Sequence, residues 1–289
     1  MPELPEVEIV KRELKPSVVN TRIETIEISN PVYKGHSEGK RTIIKNPIDA
    51  FKSDLTGSEI ISLTRRGKYL SFGLSKDNDY KHMVSHLGMS GAYFVVNSLD
   101  EIKEANYRNH THIVLNLSTG AKLVYADIRR FGEMRIVPKI TEFVPFVEMA
   151  PEYYEEVSLT TFLNNLKDTR FSNMTIKQAI MDARVIPGVG NIYANEALFR
   201  SGILPTRKAG RVSATRLISL HEEITAVLNE AIERGGSTIS DYRNTSGESG
   251  TMQERFKIYQ KKTCPECDAP LKTKVINTRN TFYCTECQR

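Results

Sequence analysis

Apolar residues recur at every second position through much of the first half of the chain. Ile26/Ile28, Leu70/Phe72/Leu74, Tyr93/Val95, Ile113/Leu115/Leu117 and Leu123/Tyr125 alternate with other residues between about positions 21 and 137, the period of half-buried strands. Turn signals such as Thr119-Gly120 and Lys76-Asp77-Asn78-Asp79 separate these runs. Ahead of them Val7, Val10 and Leu14 follow helical spacing, and Pro5 suits a first helical turn, where its missing N–H is harmless. Many short strands with one helix attached predict a sandwich or a barrel. Residues 143–151, with two prolines, read as a connection. Helical spacing then returns at Phe162/Leu166, Ile176/Ala179/Ile180, Ile192/Leu198 and over residues 213–234, where Gly235-Gly236 ends it. Residues 237–250 are polar and punctuated by glycine, the mark of a long functional or mobile loop.

Composition narrows the class. The 289 residues are 39% hydrophobic and 26% charged, as in an ordinary globular protein of about two domains. No apolar run approaches the roughly 18 residues of a membrane helix, and the acidic, proline-broken start is unlike an export leader. The expectation is a cytosolic protein. Net charge is +5, and residues 251–289 hold eight Lys or Arg against four acids. A basic tail on a near-neutral body fits a polyanion such as nucleic acid, although a solvated basic face has the same composition.

All four cysteines lie in that tail, as Cys264-Pro265-Glu266-Cys267 and Cys284-Thr285-Glu286-Cys287, with sixteen residues between the pairs. Thiols so spaced in a reducing compartment bind metal, and four thiolates complete the tetrahedron of one zinc ion. Four protein ligands leave no position for an activated water, so this zinc is structural.

Other segments could carry chemistry. Removal of Met1 would leave Pro2 as a terminal secondary amine with an intrinsic pKa of about 7.7–8.0, able to attack an electrophilic carbon and form an iminium. Glu3 and Glu6 would be nearby carboxylates for proton transfer. Ile186-Pro187-Gly188-Val189-Gly190-Asn191 leads into a helix with Asn191 as the expected N-cap, and its N–H groups suit a phosphate or form an ordinary tight turn. His86-Leu87-Gly88-Met89-Ser90-Gly91 and Asp127-Ile128-Arg129-Arg130-Phe131-Gly132 each place a bulky side chain beside glycine, suited to wedging between bases or to core packing. His82 and His86 lie on a strand pattern and form no helical metal site. His110 and His112 alternate on one face, within reach of phosphate or of solvent.

Joined in order, these segments resemble the bacterial formamidopyrimidine-DNA glycosylases nearly end to end. The resemblance rests on Pro2-Glu3-Leu4-Pro5-Glu6-Val7-Glu8, Arg65-Arg66-Gly67-Lys68-Tyr69-Leu70, the two wedge-like segments, Gly188-Val189-Gly190-Asn191-Ile192-Tyr193-Ala194 with Glu196 two residues on, and Thr281-Phe282-Tyr283-Cys284 with the cysteine pairs. It implies an α+β multidomain protein: an N-terminal β-sandwich with a flanking helix, a helix–two-turn–helix domain and a zinc-bound β-hairpin. The expected boundaries are 1–142 for the sandwich, 143–152 for a linker, 153–250 for the helical domain with a lesion-covering loop, and 251–289 for the zinc finger.

The resemblance also implies roles. Pro2 would be the nucleophile at C1′ of a damaged nucleotide, and Glu3 the proton donor and acceptor near the sugar. Lys68 would contact phosphate and assist β-elimination, and Arg279 would hold phosphate for δ-elimination. Met89, Arg129 and Phe131 would fill the gap left by an extruded base, with Arg129 facing the opposite cytosine, while His110, Lys177 and Asn191 would contact the DNA backbone. The implied partner is damaged double-stranded DNA, the cofactor one structural zinc ion, the oligomeric state a monomer with no membrane association, and the location the bacterial cytoplasm at the nucleoid.

Three positions depart from the family pattern. Asn173 stands where relatives often have lysine, Thr251-Met252 replaces a frequent aromatic pair, and Asp268 replaces a common glycine, which Asp tolerates in left-handed geometry. Two other functions fit parts of the sequence. One is an endonuclease VIII-type enzyme for oxidised pyrimidines, against which Leu4, Met89, Arg129 and Phe131 speak. The other is a non-catalytic zinc protein that binds damaged DNA and needs no free Pro2.

Overall fold

The computed structural model describes residues 2–237 and 250–289. The chain folds into two compact units. The first comprises Glu6–Val147 with Pro2 and the described part of 235–250, and the second Glu3–Pro5, Glu148–Arg234 and Thr251–Arg289.

The first unit is the alternating half of the sequence. Helix α1 (Leu4–Val18) is followed by β1 (Thr21–Ile28), two short helices, α2 (Asn30–Ser37) and α3 (Ile48–Leu55), and three antiparallel neighbours, β2 (Glu59–Arg66), β3 (Tyr69–Lys76) and β4 (Asp79–His86). Strand β5 (Gly91–Val96), α4 (Ala105–Asn109), β6 (Thr111–Leu117), β7 (Lys122–Asp127), β8 (Glu133–Val137) and α5 (Val144–Glu148) complete the series. The strand order is β5-β7-β6-β1-β2-β3-β4-β8. Strand β1 belongs to both halves, since Thr21 and Arg22 pair with β2 and Ile23–Ile28 pair with β6. The two halves therefore face each other as a sandwich. Leu70, Phe72 and Met83 from one half and Tyr93, Leu115, Leu123 and Tyr125 from the other share one core with Val7, Val10 and Leu14 of α1. The period-2 pattern shows in the burial of β1, whereas β3, β5, β6 and β7 are buried on both faces over runs of four or five residues, with Phe94, Tyr107, Val114 and Val124 forming a second cluster behind β5, β6 and β7.

The second unit is helical and ends in a hairpin. It holds α6 (Ser158–Lys167), α7 (Thr169–Ser172), α8 (Ile176–Ile180), α9 (Asn191–Arg200) and α10 (Ala214–Glu233), then β9 (Lys272–Ile276) paired with β10 (Arg279–Tyr283). Helix α9 buries eight of its ten residues, Ile192 through Phe199, so it is the central helix of this unit and both ends of the chain's chemistry attach to it. Among the described residues no helix is long and apolar enough to cross a membrane.

Candidate functional site

The tight Gly188-Val189-Gly190 turn brings the backbone N–H groups at the start of α9 to one point, and Glu3 occupies it. Its carboxylate accepts from the N–H of Gly190 (2.7 Å), Ile192 (2.8 Å) and Tyr193 (3.4 Å), and Glu3 is 1% exposed. An anion at a helix N-terminus meets both the orphan donors and the positive end of the helix dipole. The glycines are required by this contact. A Cβ at Gly190 would collide with the Glu3 carboxylate, and Gly188 has φ +89° with Leu4 packed against its Cα. The anion site expected at this turn thus exists, but an internal carboxylate fills it. The N-cap is Gly190 rather than Asn191, because Glu3 already satisfies the donors a capping side chain would take.

Asn191 turns its side chain to another partner. The Lys177 ammonium donates to Asn191 Oδ1 (2.6 Å), Thr281 Oγ1 (2.7 Å) and the Asn280 carbonyl (3.3 Å), three acceptors for three N–H bonds. Lys177 is 0% exposed, and burial pushes its pKa down to about 8, with Glu3 opposing and Arg279 adding to the fall. The resemblance assigns Lys177 to phosphate. In the structure it joins α8 and α9 to the hairpin. Asn195 does the same from α9, accepting from Phe282 N (2.8 Å) and donating to the Asn191 carbonyl (2.6 Å). Glu196 beside it accepts from the N–H groups of Lys257, Ile258 and Tyr259. Asn195 does not stand out in the sequence, and Glu196, although part of the motif that carries the resemblance, receives no role from it, because each binds backbone that is distant in the chain.

Arg279 opens β10 directly after an Asn277-Thr278 turn whose residues have φ +46° and +61°. That is the pattern of a type I′ hairpin, with a β-branched threonine in an unfavourable region. The cysteines lie at the other end. Their four Sγ atoms are within 4.8 Å of one another, with Cys264–Cys287 at 3.7 Å and Cys267–Cys284 at 3.5 Å. A zinc ion bonded to four thiolates at roughly 2.3 Å has S···S edges of about 3.8 Å, so the cluster fits one zinc ion. The two knuckles match, since Asp268 N donates to the Cys264 carbonyl (3.0 Å) and Gln288 N to the Cys284 carbonyl (3.1 Å). Asp268 takes φ +59°, the left-handed geometry expected of the residue replacing glycine.

The remaining candidates belong to the sandwich. Lys68 sits in the Gly67-Lys68 turn between β2 and β3. Gly67 has φ +54° as the first central residue of a type II′ turn, and Arg65 braces it by donating to the Gly67 carbonyl (3.0 Å). Met89, Phe131, Gly88, His86, Tyr69, Arg41 and Glu133 line a cavity of about 340 Å³. Phe131 is 50% exposed and the Arg129 guanidinium lies over its ring at 4.9 Å. An exposed aromatic on a tight loop is unusual for a core residue and suits a wedge. His86 received no role from its sequence pattern. Its ring packs on Tyr69 at 4.7 Å, and burial, with Lys68 and Arg41 nearby, pushes its pKa down to about 4. Its Nδ1 accepts from Gly88 N (3.0 Å), leaving the ring proton on Nε2. His110 caps α4, its Nδ1 at 2.6 Å from the Asn106 carbonyl. Of the long loop expected over residues 237–250, residues 238–249 lie outside the described residues, as does Met1. Met252, which stands in place of part of the frequent aromatic pair, is buried at the start of a short 3₁₀ turn.

Sandwich, carboxylate-capped helix and four-cysteine hairpin fit the zinc-finger class of DNA-repair enzymes that the sequence resembles. Comparison with known proteins agrees. The formamidopyrimidine-DNA glycosylase N-terminal domain matches residues 1–134, the formamidopyrimidine-DNA glycosylase H2TH domain residues 149–243, and the zinc finger found in FPG and IleRS residues 261–289. The formamidopyrimidine-DNA glycosylase of Geobacillus kaustophilus is 37% identical over 296 residues, covering all of both chains. A Lactococcus lactis FPG variant solved with a Fapy-dG containing DNA matches with a TM-score of 0.84 and 31% identity, covering all of both chains. The wild-type Lactococcus lactis FPG solved with an oxidised-pyrimidine containing DNA matches with a TM-score of 0.83 and 30% identity, again over all of both chains. The chain belongs to the formamidopyrimidine-DNA glycosylase family, and its cofactor is one zinc ion held by Cys264, Cys267, Cys284 and Cys287.

Proposed function

We propose that this enzyme excises oxidised purines, such as 8-oxoguanine and formamidopyrimidines, from duplex DNA and then cleaves the strand. After Met1 is removed, the Pro2 nitrogen attacks C1′ of the damaged nucleotide and the base departs with the bonding electrons and a proton. The sugar ring opens to an iminium on Pro2, and loss of the C2′ proton expels the 3′ phosphate. A second elimination then expels the 5′ phosphate. The observation that carries this reading is the Glu3 carboxylate, buried directly after Pro2 and aimed by three backbone N–H groups. A carboxyl group so held can pass a proton to and from the opening sugar without rearranging.

Lys68 and Arg279 each stand at a hairpin turn and would bind the phosphates flanking the lesion, Lys68 assisting the first elimination and Arg279 the second. His110 and Asn191 would add backbone contacts, and Lys177 would act by holding Asn191 and the zinc hairpin in place. Met89, Arg129 and Phe131 would fill the space of the extruded base, whose removal from the stack costs a few kcal/mol. The protein would act as a monomer at the nucleoid. The domains would divide at 143–152 and near 251. A second substrate class, oxidised pyrimidines, is favoured by one observation: the Lactococcus lactis relative was solved with such a DNA.

The test is borohydride trapping on a duplex carrying 8-oxoguanine opposite cytosine, followed by mass spectrometry of the N-terminal peptide. A reduced DNA adduct on Pro2 is expected. Its absence in protein lacking Met1, with an oxidised-pyrimidine duplex failing as well, rejects the mechanism.

A further inference from the structure

Two short loops carry the proposed wedge, and the sheet brackets them in a common frame. One runs from β4 to β5 and holds Met89; the other runs from β7 to β8 and holds Arg129 and Phe131. Their ends are paired: His86 lies opposite Glu133, and Gly91 opposite Asp127. The loops therefore cross from one half of the sandwich to the other side by side. Gly88 lies so close to the Phe131–Gly132 backbone that a Cβ would collide with it.

Asp127 sits between them, 0% exposed. Its Oδ1 accepts from Ser90 Oγ (2.7 Å) in the first loop and from Arg129 N (3.2 Å) in the second. Its Oδ2 accepts from Gly132 N (2.8 Å) and the Tyr125 hydroxyl (3.3 Å). Ser90 Oγ also accepts from Arg129 N (2.9 Å), closing a ring across the two loops. A Cβ at either Gly91 or Gly132 would strike the Tyr125 hydroxyl. The backbone of Asp127 is fixed as well, its carbonyl 3.2 Å from His112 Nε2, whose Nδ1 lies 2.8 Å from Ser29 Oγ.

We propose that Asp127 is a positioning residue that locks the Met89 loop and the Arg129–Phe131 loop into one preformed wedge. This rests on the wedge reading above. A carboxylate is acceptor-only and can serve four converging donors. An asparagine has nearly the same shape but one acceptor oxygen, so whichever way its amide turns, the backbone N–H of Arg129 or of Gly132 faces another donor. The loop would then shift, and Arg129 would lose its aim at the base opposite the lesion. Positioning errors of this kind cost rate although no reacting group is altered.

The test compares Asp127→Asn, Ser90→Ala and Arg129→Ala in the zinc-loaded protein, measuring single-turnover excision of 8-oxoguanine opposite cytosine and opposite adenine. Cleavage of a preformed abasic site is measured alongside. Both loop variants should lower the cytosine-to-adenine ratio by about tenfold, the size of one lost base-discriminating contact, and leave abasic-site cleavage within about threefold of wild type. Wild-type ratios in Asp127→Asn and Ser90→Ala, with Arg129→Ala lowering the ratio, overturn the inference and leave the wedge reading intact. An unchanged ratio in Arg129→Ala overturns the wedge reading itself. Equal losses on both substrates in soluble Ser90→Ala make the network merely structural and also reject the proposal. If Asp127→Asn fails to fold, Ser90→Ala decides alone.

Discussion

Glu3 and Lys177 are opposite charges buried by different means. Glu3 receives backbone donors and is best tested by Glu3→Gln, which keeps its volume and one acceptor oxygen. Base excision should fall by roughly 10²–10⁴-fold, the worth of a positioned proton-transfer group, while circular dichroism stays native. Lys177 has its three N–H bonds matched but remains a buried cation, with its pKa lowered from 10.5 to about 8. Between those values the unfolded chain holds the proton and the native chain has released it. The contribution of this side chain to stability therefore rises with pH. The unfolding free energy of wild type relative to Lys177→Met should increase across about pH 8 to 10.5, by roughly 1–3 kcal/mol. A flat difference would show that the three acceptors cancel the burial. Pro2-Glu3 was readable as a candidate from residue type alone. The state of Lys177 was not, because a lysine in a short helical run looks like any solvated charge until its three acceptors, two of them about a hundred residues away, are known.

At the scale of elements, α9 and the zinc hairpin are one working part. Gly190 is the narrowest point, since any side chain there displaces the Glu3 carboxylate. Gly190→Ala should reduce excision at least tenfold and lower stability by about 1–3 kcal/mol, the cost of disturbing a buried charged group, as read by single-turnover kinetics and thermal melting. The hairpin depends on its metal, because β9 is largely exposed and a two-stranded ribbon is marginal alone. Removing zinc with a chelator should unfold the region around Cys264–Cys287 and abolish incision through Arg279, with re-addition of zinc restoring it. Metal analysis should find one zinc per chain. The elements were legible in part: alternation located β1, β3, β5, β6 and β7 and the cysteine spacing located the metal site, whereas the short helices α2, α3 and α4, lying among the strands, were not expected. The cap of α9 was misread because a favourable capping residue, Asn191, stood at the right place while a carboxylate from the other end of the sequence took the donors.

For the molecule as a whole, the +5 charge is small, and the basic excess gathers in the last 39 residues. DNA affinity should therefore depend on salt through a limited set of phosphate contacts. Arg279→Ala should make the slope of log K against log salt shallower by about one, whereas Phe131→Ala, which removes no charge, should leave the slope unchanged and weaken lesion binding. Titrations at several salt concentrations separate these outcomes. The two-unit division follows the change of pattern along the sequence, with the alternating strands gathered in the first unit and the longer helical runs after residue 148 in the second.

What the sequence alone determined is whatever depends on near neighbours: strand and helix periods, hairpin turns, the zinc ligands, and an ordered set of motifs specific enough to indicate a family. Tertiary structure alone decided which buried polar atoms meet. Glu3 finds its donors near residue 190, Lys177 its acceptors near 280, and Asp127 joins Ser90 to Gly132. Such pairings follow no periodicity. They arise because folding strips water from these groups, and each must then find a partner wherever the packed chain brings one.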